Sequence, residues 1–275
     1  MINIGEYNTL KVNREVDFGV YLGDGEEELL LPGKWKPAGT EVGQELRVFV
    51  YTDSEDRPIA TTMKPAATVG EFAILEVKAV APFGAFLDWG LEKDLLLPKA
   101  EQIQKPAVGD KVVVRICLDY KTNRVIAVSK IGSFLKEKEH TLQPGEEVEA
   151  WVYHTTPLGF QVLVNQQYNG LIYRNEVFGP LQTGDRKTAY VSKLREDGKL
   201  DLSLKPFGKE GMKGDREKVL EKLEQQGGSL PLGDKSQPEE ISHLLNMSKK
   251  SFKRAIGMLY KEQKISLSDH EIKLK

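Results

Sequence analysis

The clearest fold signal in this 275-residue sequence is Lys78-Ala-Val-Ala-Pro-Phe-Gly-Ala-Phe-Leu-Asp-Trp-Gly90, followed by Leu95-Leu-Leu-Pro98. Two aromatic residues, Phe83 and Phe86, flank a glycine in a segment that otherwise has the composition of a β-strand. A glycine inside a strand indicates a sharp bend or a close backbone approach. The leucine triplet closed by proline predicts a further strand that ends in a turn.

The same pattern occurs three times along the chain. Its first anchor is a glycine after an aromatic residue or leucine, at Phe18-Gly19, Phe83-Gly84 and Leu158-Gly159. Its second is an apolar triplet, at Leu29-Leu-Leu31, Leu95-Leu-Leu97 and Leu171-Ile-Tyr173. A turn glycine follows 24 or 25 positions after the first glycine, and a basic residue 14 or 15 positions further on opens the last strand. This constant spacing predicts three tandem domains.

Each unit is predicted to form a small barrel. Five short strands cannot leave long open edges, and partial closure removes them. The bend is expected at the glycine beside the aromatic residue. The segment 132–140 is predicted to be a charged helical linker. The predicted barrel domains span residues 1–64, 68–133 and 143–207.

The last part of the chain changes from a period of 2 to a period of 3.6. A helix is predicted at Asp215–Gln226 after a Gly/Lys-rich joint, and a short extended piece follows. Ser236 or Gln237 begins a second helix, with Pro238 in its first turn. Ser248 caps a third helix that runs to about Glu262, with Phe252, Ile256, Leu259 and Tyr260 as its apolar face, and a hairpin ends the chain. This order predicts an α+β winged helix-turn-helix domain at 213–275.

The bulk composition is typical of a globular protein. Apolar residues make up 40% and charged residues 29% of the chain, and no run approaches the roughly 18 apolar residues of a membrane span. The N-terminal residues lack the pattern of a secretory signal, and the single cysteine, Cys117, fits a reducing cytoplasm. The net charge is −2. It divides unevenly, with 26 basic and 31 acidic residues up to Met212 and 13 and 10 after it.

The three units resemble the S1 family of the OB fold. That family has an aromatic-Gly-x-aromatic pair, a Gly-Leu-Val-His-like third strand, a Gly-Asp turn and an Asp…Arg pair before a final Leu-Ser-x-Lys strand. The middle unit matches through Phe83-Gly84 with Phe86, Gly109-Asp110, Asp119 to Arg124, and Ala127-Val-Ser-Lys130. Leu31, Leu97 and Tyr173 are aligned with the family's third-strand histidine. Together with the winged helix, the arrangement is similar to the bacterial conserved virulence factor B family, and this resemblance implies RNA binding.

The aromatic pair is the leading candidate for base recognition, because OB-type domains stack bases of a single strand on aromatic rings. The alternative is that Phe83 and Phe86 fill the barrel core. Arg124 either reaches a backbone phosphate or pairs with Asp119. The candidate RNA-binding residues are Phe83, Phe86, Asp119, Arg124 and Lys130 in the second unit, Phe18, Tyr21 and Arg57 in the first, and Phe160, Tyr173 and Lys199 in the third.

The third predicted helix of the winged domain carries Lys249, Lys250, Lys253 and Arg254 in its N-terminal half. This cluster is either a nucleic-acid contact or a solvated basic face, and winged helices also bind proteins. Partial burial is favoured for Trp35 and Trp89 over exposed stacking, and a core position for Trp151. The four histidines are His140, His154, His243 and His270, and they lack the spacing of metal ligands.

The sequence therefore predicts a cytoplasmic, non-catalytic protein that binds single-stranded RNA with low sequence specificity and acts in the regulation of expression. No cofactor, membrane or small-molecule substrate is expected, since no phosphate loop or nucleophile elbow occurs. Two alternatives stay open: a winged-helix transcriptional regulator on duplex DNA, and a ribosome-associated interaction scaffold. A nuclease is disfavoured because no metal-holding set of carboxylates is visible.

Overall fold

A computed structural model of the protein describes residues 2–23, 25–136, 141–206 and 208–275, without the side chains of residues 208–210 and 212. The chain forms two compact units, Met1–Leu135 and Lys136–Lys275. Each unit is described separately below.

The described residues of the first unit form two closed five-stranded barrels. The strands of the first barrel are β1 (Tyr7–Val16), β2 (Gly19–Gly23), β3 (Glu28–Pro32), β4 (Glu45–Thr52) and β5 (Pro58–Thr61). The strands of the second barrel are β6 (Phe72–Ala81), β7 (Gly84–Asp88), β8 (Leu95–Pro98), β9 (Lys111–Asp119) and β10 (Arg124–Val128). The order around the first barrel is β1-β2-β3-β5-β4, and the second repeats it. In both barrels the third and fifth strands are parallel.

The second unit begins with a third barrel of the same topology. Its strands are β11 (Glu147–Thr155), β12 (Gly159–Val164), β13 (Tyr168–Tyr173), β14 (Arg186–Leu194) and β15 (Leu200–Ser203). The predicted fold class of three five-stranded barrels is confirmed. The domain limits 1–64, 68–133, 143–207 and 213–275 stay a prediction.

Each barrel contains a register shift that the sequence analysis did not predict. The first strand of each barrel shifts register, between Val12 and Arg14, between Val77 and Ala79, and between Val152 and His154. Such bulges bend a strand and increase its twist. The glycine of the pattern instead permits close backbone packing, because a Cβ added at Gly84 would lie 2.6 Å from the carbonyl oxygen of Leu97.

Two aromatic residues of the first barrel pack into the core of the second barrel around Trp89. This side chain is only 3% exposed and packs edge-on against Phe49 and Tyr51 of β4, with ring centroids 5.7 and 6.2 Å away. Its indole N–H donates to the Lys93 carbonyl at 2.7 Å. Burying an indole requires such a partner for its polar end. Phe49 and Tyr51 of the first barrel therefore belong to the hydrophobic core of the second, while the first barrel keeps a core of its own.

The second unit ends in the predicted winged helix. Its elements are α1 (Gly208–Gln225), β16 (Ser229–Leu230), α2 (Pro238–Leu245), α3 (Lys249–Lys261), β17 (Ile265–Leu267) and β18 (Ile272–Leu274). The three strands form a sheet in the order β16-β18-β17. Helix α2 starts at the predicted place, where the Gln237 N–H donates to the Glu240 carboxylate at 2.8 Å. Ser248 caps α3 by accepting from the Ser251 N–H at 3.0 Å.

Two details of the predicted helices are wrong. Helix α1 begins at Gly208 and not at Asp215, so the Gly/Lys-rich joint is helical. Glycine weakens a helix but leaves every backbone N–H available, and residues 208–225 contain no proline. The predicted apolar face of α3 includes Tyr260, yet this residue is 53% exposed, and Ala255 is buried beside Phe252 and Ile256.

The predicted helical linker at 132–140 is only partly described. Ile131–Phe134 forms a single 3-10 turn, and Lys136 then pairs with Tyr168 in an isolated β-bridge. Residues 137–140, including His140, lie outside the described residues. The described part of the linker is thus a short turn and an extended residue.

Candidate nucleic-acid interface

The aromatic pair of the second barrel lies on the barrel surface. Phe83 precedes β7 in a turn and is 60% exposed, and Phe86 within β7 is half-buried. Their rings meet edge to face, with centroids 5.8 Å apart and an interplanar angle of 88°. The core position in β7 belongs to Ala85 and Leu87, since successive side chains of a strand point to opposite faces. The two rings are therefore placed as a surface platform.

The two rings open onto a cleft of about 420 Å³ within the first unit. Leu96 of β8 and Ile126 of β10 line the cleft beside Phe86. Residues of the first barrel complete the wall, including Tyr51 and Asp56. The other lining residues are Thr52, Ser54, Phe83, Trp89, Lys93, Asp94, Leu95, Arg124 and Val125. A cleft of this size with apolar walls and a few polar groups is typical of a ligand site.

Arg124 does not pair with Asp119, which was one of the two roles expected for it. Its guanidinium forms an ion pair with Asp56 of the first barrel and not with Asp119. The Nε of Arg124 is buried and has no hydrogen-bond partner among the described residues. Lys93 also approaches Asp56, with 3.7 Å between its Nζ and the carboxylate. The ion pair of Arg124 with Asp56 therefore links the two barrels at the cleft.

The Asp119 side chain forms hydrogen bonds within the hairpin that joins β9 and β10. Its carboxylate accepts from the Thr122 hydroxyl at 2.7 Å and from the Lys121 N–H at 3.1 Å. These bonds, the hydroxyl first, lower the pKa of Asp119. Lys130 is exposed and donates to the Ala100 carbonyl at 2.6 Å. Asp119 thus has a local role in the turn after β9, and Lys130 lies on the surface at the end of β10.

The first barrel presents a weaker version of the platform. Phe18 is exposed and Tyr21 half-buried, but the guanidinium of Arg14 covers the Tyr21 ring at 3.7 Å. Arg57 forms an ion pair with Asp53, with 2.8 Å between Nη2 and the carboxylate. Burial alone raises the pKa of Asp53, yet the hydrogen bonds from Arg57 and Glu55 outweigh burial and lower it. In the first barrel, Phe18 is therefore the ring of the pair that remains open to a ligand, and the charge of Arg57 is already paired with Asp53.

Phe160 of the third barrel is not available for stacking. It is 5% exposed and belongs to the barrel core. The prediction was wrong because Phe160 corresponds to Ala85, whereas Gln161 occupies the position of Phe86. A one-residue offset in a strand transfers a side chain to the opposite face. The exposed residue before the glycine is Leu158.

The alignment of Tyr173 with Leu31 and Leu97 is one position out of register. Tyr173 faces Gly159 across the ladder, as Pro32 faces Gly19 and Pro98 faces Gly84. Leu31 and Leu97 do not correspond to Tyr173, because both lie in their barrel cores. Tyr173 remains half-buried at the surface.

The third barrel carries an acidic side chain at the position of Ile126, because Asp201 pairs with Leu171 as Ile126 pairs with Leu96. Lys199 opens β15 and lies 3.5 Å from Asp197. Asp201 thus lies beside Leu171 and Gln161 on a face that holds hydrophobic and aromatic residues in the second barrel. This face of the third barrel therefore lacks the stacking platform.

The basic cluster of the winged helix is partly neutralised. Lys253 pairs with Asp234 at 3.1 Å, and Arg254 lies 3.4 Å from the buried Asp215. Lys249 and Lys250 form no ion pair with any residue in the described part of the chain. Two of the four predicted contacts thus keep their charge for a ligand.

A second cleft, of about 350 Å³, lies in the second unit beside the start of α3. It is lined by Lys250, Arg254 and Ser251 from α3 and by Lys205 and Phe178 from the region of the third barrel. Lys205 donates to Asp215 at 2.8 Å. The sequence analysis missed Lys205 and Asp215, since nothing in their local sequence connects residues this far from α3.

The remaining candidates from the sequence are the three tryptophans and the histidines. Trp35 is half-buried and Trp151 buried, as expected. Trp89 is more deeply buried than predicted. Among the described residues, no three or more His, Cys, Asp or Glu side chains are grouped to hold a metal ion. No described helix has the length and apolar content needed to cross a membrane.

Family models match the first two barrels and the winged helix. The S1 domain model matches residues 4–63 and 69–130, and the model of the CvfB-like winged helix domain matches residues 217–274. Fold and matches together define a multidomain protein of S1 domains and a winged helix, which are modules of the nucleic-acid-binding class. The chain belongs to the conserved virulence factor B family.

Relatives match along most of the chain. The uncharacterized protein YitL of Bacillus subtilis is 33% identical over 273 residues, which are 95% of this chain and 90% of YitL. Conserved virulence factor B of Staphylococcus saprophyticus is 28% identical over 242 residues, or 85% and 81% of the two chains. A crystal structure from Streptococcus pneumoniae, described as a multidomain protein with nucleic acid binding domains, has a TM-score of 0.50 at 26% identity and covers 99% of this chain and 98% of its own.

Proposed function

We propose that this protein binds single-stranded RNA in the cytoplasm without catalysing a reaction, and that it acts in the regulation of expression. The observation that carries the proposal is the exposed Phe83–Phe86 pair at the mouth of the 420 Å³ cleft. Aromatic platforms on OB-type barrels bind unpaired bases, which a duplex keeps stacked inside. The similar Streptococcus pneumoniae protein, which is described as having nucleic acid binding domains, supports the proposal.

The charge distribution favours stacking over phosphate attraction at this cleft. In the cleft lining, Arg124 is paired with Asp56 and the Lys93 ammonium donates to the Asp53 carbonyl, and the whole chain carries a net charge of −2. A protein with few free cations at its site releases few counterions on binding, so its affinity depends weakly on salt. Lys249 and Lys250 at the start of α3 supply a second, electrostatic contact.

The alternative of a regulator bound to duplex DNA rests on α3 as a recognition helix. Fluorescence anisotropy with a 12-nucleotide single-stranded RNA, the matching single-stranded DNA and the matching duplex DNA, at one salt concentration, separates the two functions. We expect the single-stranded RNA to bind at least about tenfold tighter than the duplex, because a duplex offers no free bases to the platform. Tighter binding of the duplex would favour the DNA regulator. Ribosome association that survives ribonuclease treatment would favour the scaffold.

Replacing Lys249 and Lys250 together by alanine tests the electrostatic contact. We expect weaker RNA binding and a smaller slope of log K against log salt, by about 0.7 for each phosphate that is no longer neutralised. The fold should be retained, since two lysines at a helix N-terminus oppose the helix dipole. Anisotropy titrations at several salt concentrations measure the slope. Lys261→Ala, in the last turn of the same helix, is the matched control, and an equal slope change in both variants would contradict the assignment.

A further inference from the structure

Asp94 is a carboxylate with unused hydrogen-bonding capacity inside the aromatic cleft. It lines the cleft with Phe86 and Leu96 and is half-buried. Its side chain makes no hydrogen bond and no ion pair with any residue that the structure describes. Burial raises the pKa of Asp94, and repulsion from Asp88 adds to the increase. A ligand that donates hydrogen bonds would stabilise this group.

The cations of the same cleft are already occupied. Arg124 is paired with Asp56, and the Lys93 ammonium donates to the Asp53 carbonyl at 2.5 Å. The Nε of Arg124 has no partner among the described residues, but its guanidinium is held by Asp56. Asp94 is the carboxylate of the lining whose acceptor oxygens have no partner among the described residues. An acceptor repels phosphate and favours a donor edge, so the part of the cleft at Asp94 is suited to the base of a nucleotide.

The four bases differ in the donors that they present. A carboxylate has two parallel acceptor oxygens and no donor. Guanine presents two adjacent donors, N1–H and the N2 amino group, which match both oxygens. Adenine and cytosine present one amino group beside a ring acceptor, and uracil presents one N–H between two carbonyl groups. Either arrangement places an acceptor against the carboxylate, so guanine is the best match.

We propose that the cleft selects guanine, with Asp94 accepting from N1–H and the N2 amino group while the base stacks on Phe86. The proposal rests on the proposed function, because it names the base taken by the same site. One selective position agrees with low specificity overall, since the other nucleotides of a bound strand lie outside this cleft.

The test uses the full chain and nine-nucleotide uridine RNAs in which only the central base changes. We expect the guanine oligonucleotide to bind about tenfold tighter than all-uridine RNA, in line with a bidentate contact. Inosine lacks the amino group and should lose most of this gain. Asp94→Asn keeps the shape but replaces one acceptor with a donor, so the ratio of guanine to uridine affinity should fall to about twofold or less. Asp88→Asn, outside the cleft lining, is the matched control and should keep the preference.

The outcomes separate this inference from the proposed function. Equal binding of the guanine and uridine RNAs by the unmodified protein would overturn guanine selection and leave RNA binding intact. Failure of every oligonucleotide to bind would overturn the proposed function itself. A guanine preference that persists in Asp94→Asn, or an inosine RNA that binds as tightly as guanine, would show that Asp94 does not read the base. The inosine comparison needs no variant and so stands even if Asp94→Asn is poorly folded.

Discussion

Replacing Phe83 and Phe86 together by alanine is expected to weaken the binding of single-stranded RNA by about 2 kcal/mol, or roughly thirtyfold in Kd, since base–aromatic stacking contributes about 1–3 kcal/mol per base. The loss should appear at constant salt and should leave the salt dependence unchanged, because no phosphate contact is removed. Anisotropy titrations of both proteins against one uridine-rich RNA measure the effect.

The same variant should remain folded. Phe83 is exposed and Phe86 half-buried, and neither belongs to the core of the first unit. Tyr120→Ala is the matched control, because Tyr120 is an aromatic residue of the same barrel, is 87% exposed and lies outside the cleft lining. An unchanged Kd in the double variant, or an equal loss in Tyr120→Ala, would rule out the stacking platform.

Replacing Trp89 by alanine is expected to lower the free energy of unfolding of the first unit by about 3–5 kcal/mol, which is typical of removing a buried aromatic side chain. The loss should be shared by both barrels, because Trp89 of the second barrel packs against Phe49 and Tyr51 of the first. Hydrogen exchange in the full chain measures it locally. We expect faster exchange in β4 as well as in β6 and β7.

Trp151→Ala is the control for Trp89→Ala. It removes another buried tryptophan, in a barrel that belongs to the second unit. Its effect should be confined to β11 and its neighbours, with exchange in β4 unchanged. If Trp89→Ala left β4 as well protected as Trp151→Ala does, the packing of Trp89 against Phe49 and Tyr51 would not stabilise the first barrel.

Much of the fold could be predicted because it depends on local signals. The spacing of the glycine and leucine anchors predicted the barrels, and Pro238 and Ser248 predicted the helix starts, because turns and caps involve residues only a few positions apart. The start of α1 was missed, since helix propensity is a weak guide where tertiary packing acts.

The candidate site was predicted less completely. Phe83 and Phe86 lie on the surface as a stacking platform requires, but Phe160 lies in the core because of its one-residue offset from Gln161. No sequence motif identifies Asp94. Its proposed role as an acceptor for a base depends on the residues of the first barrel that line the same cleft.

The amino-acid order was sufficient to determine three barrels and a winged helix, since strand alternation, turns and caps are short-range properties. It left the Phe83–Phe86 pair between a surface and a core position. Only the tertiary structure decided which charges remain available. Arg124 is paired with Asp56, 68 positions away, whereas Asp119, at the other end of its own hairpin, bonds to Thr122. The reason is physical: ion pairs form between side chains that folding brings within a few ångströms, and sequence spacing does not report that distance.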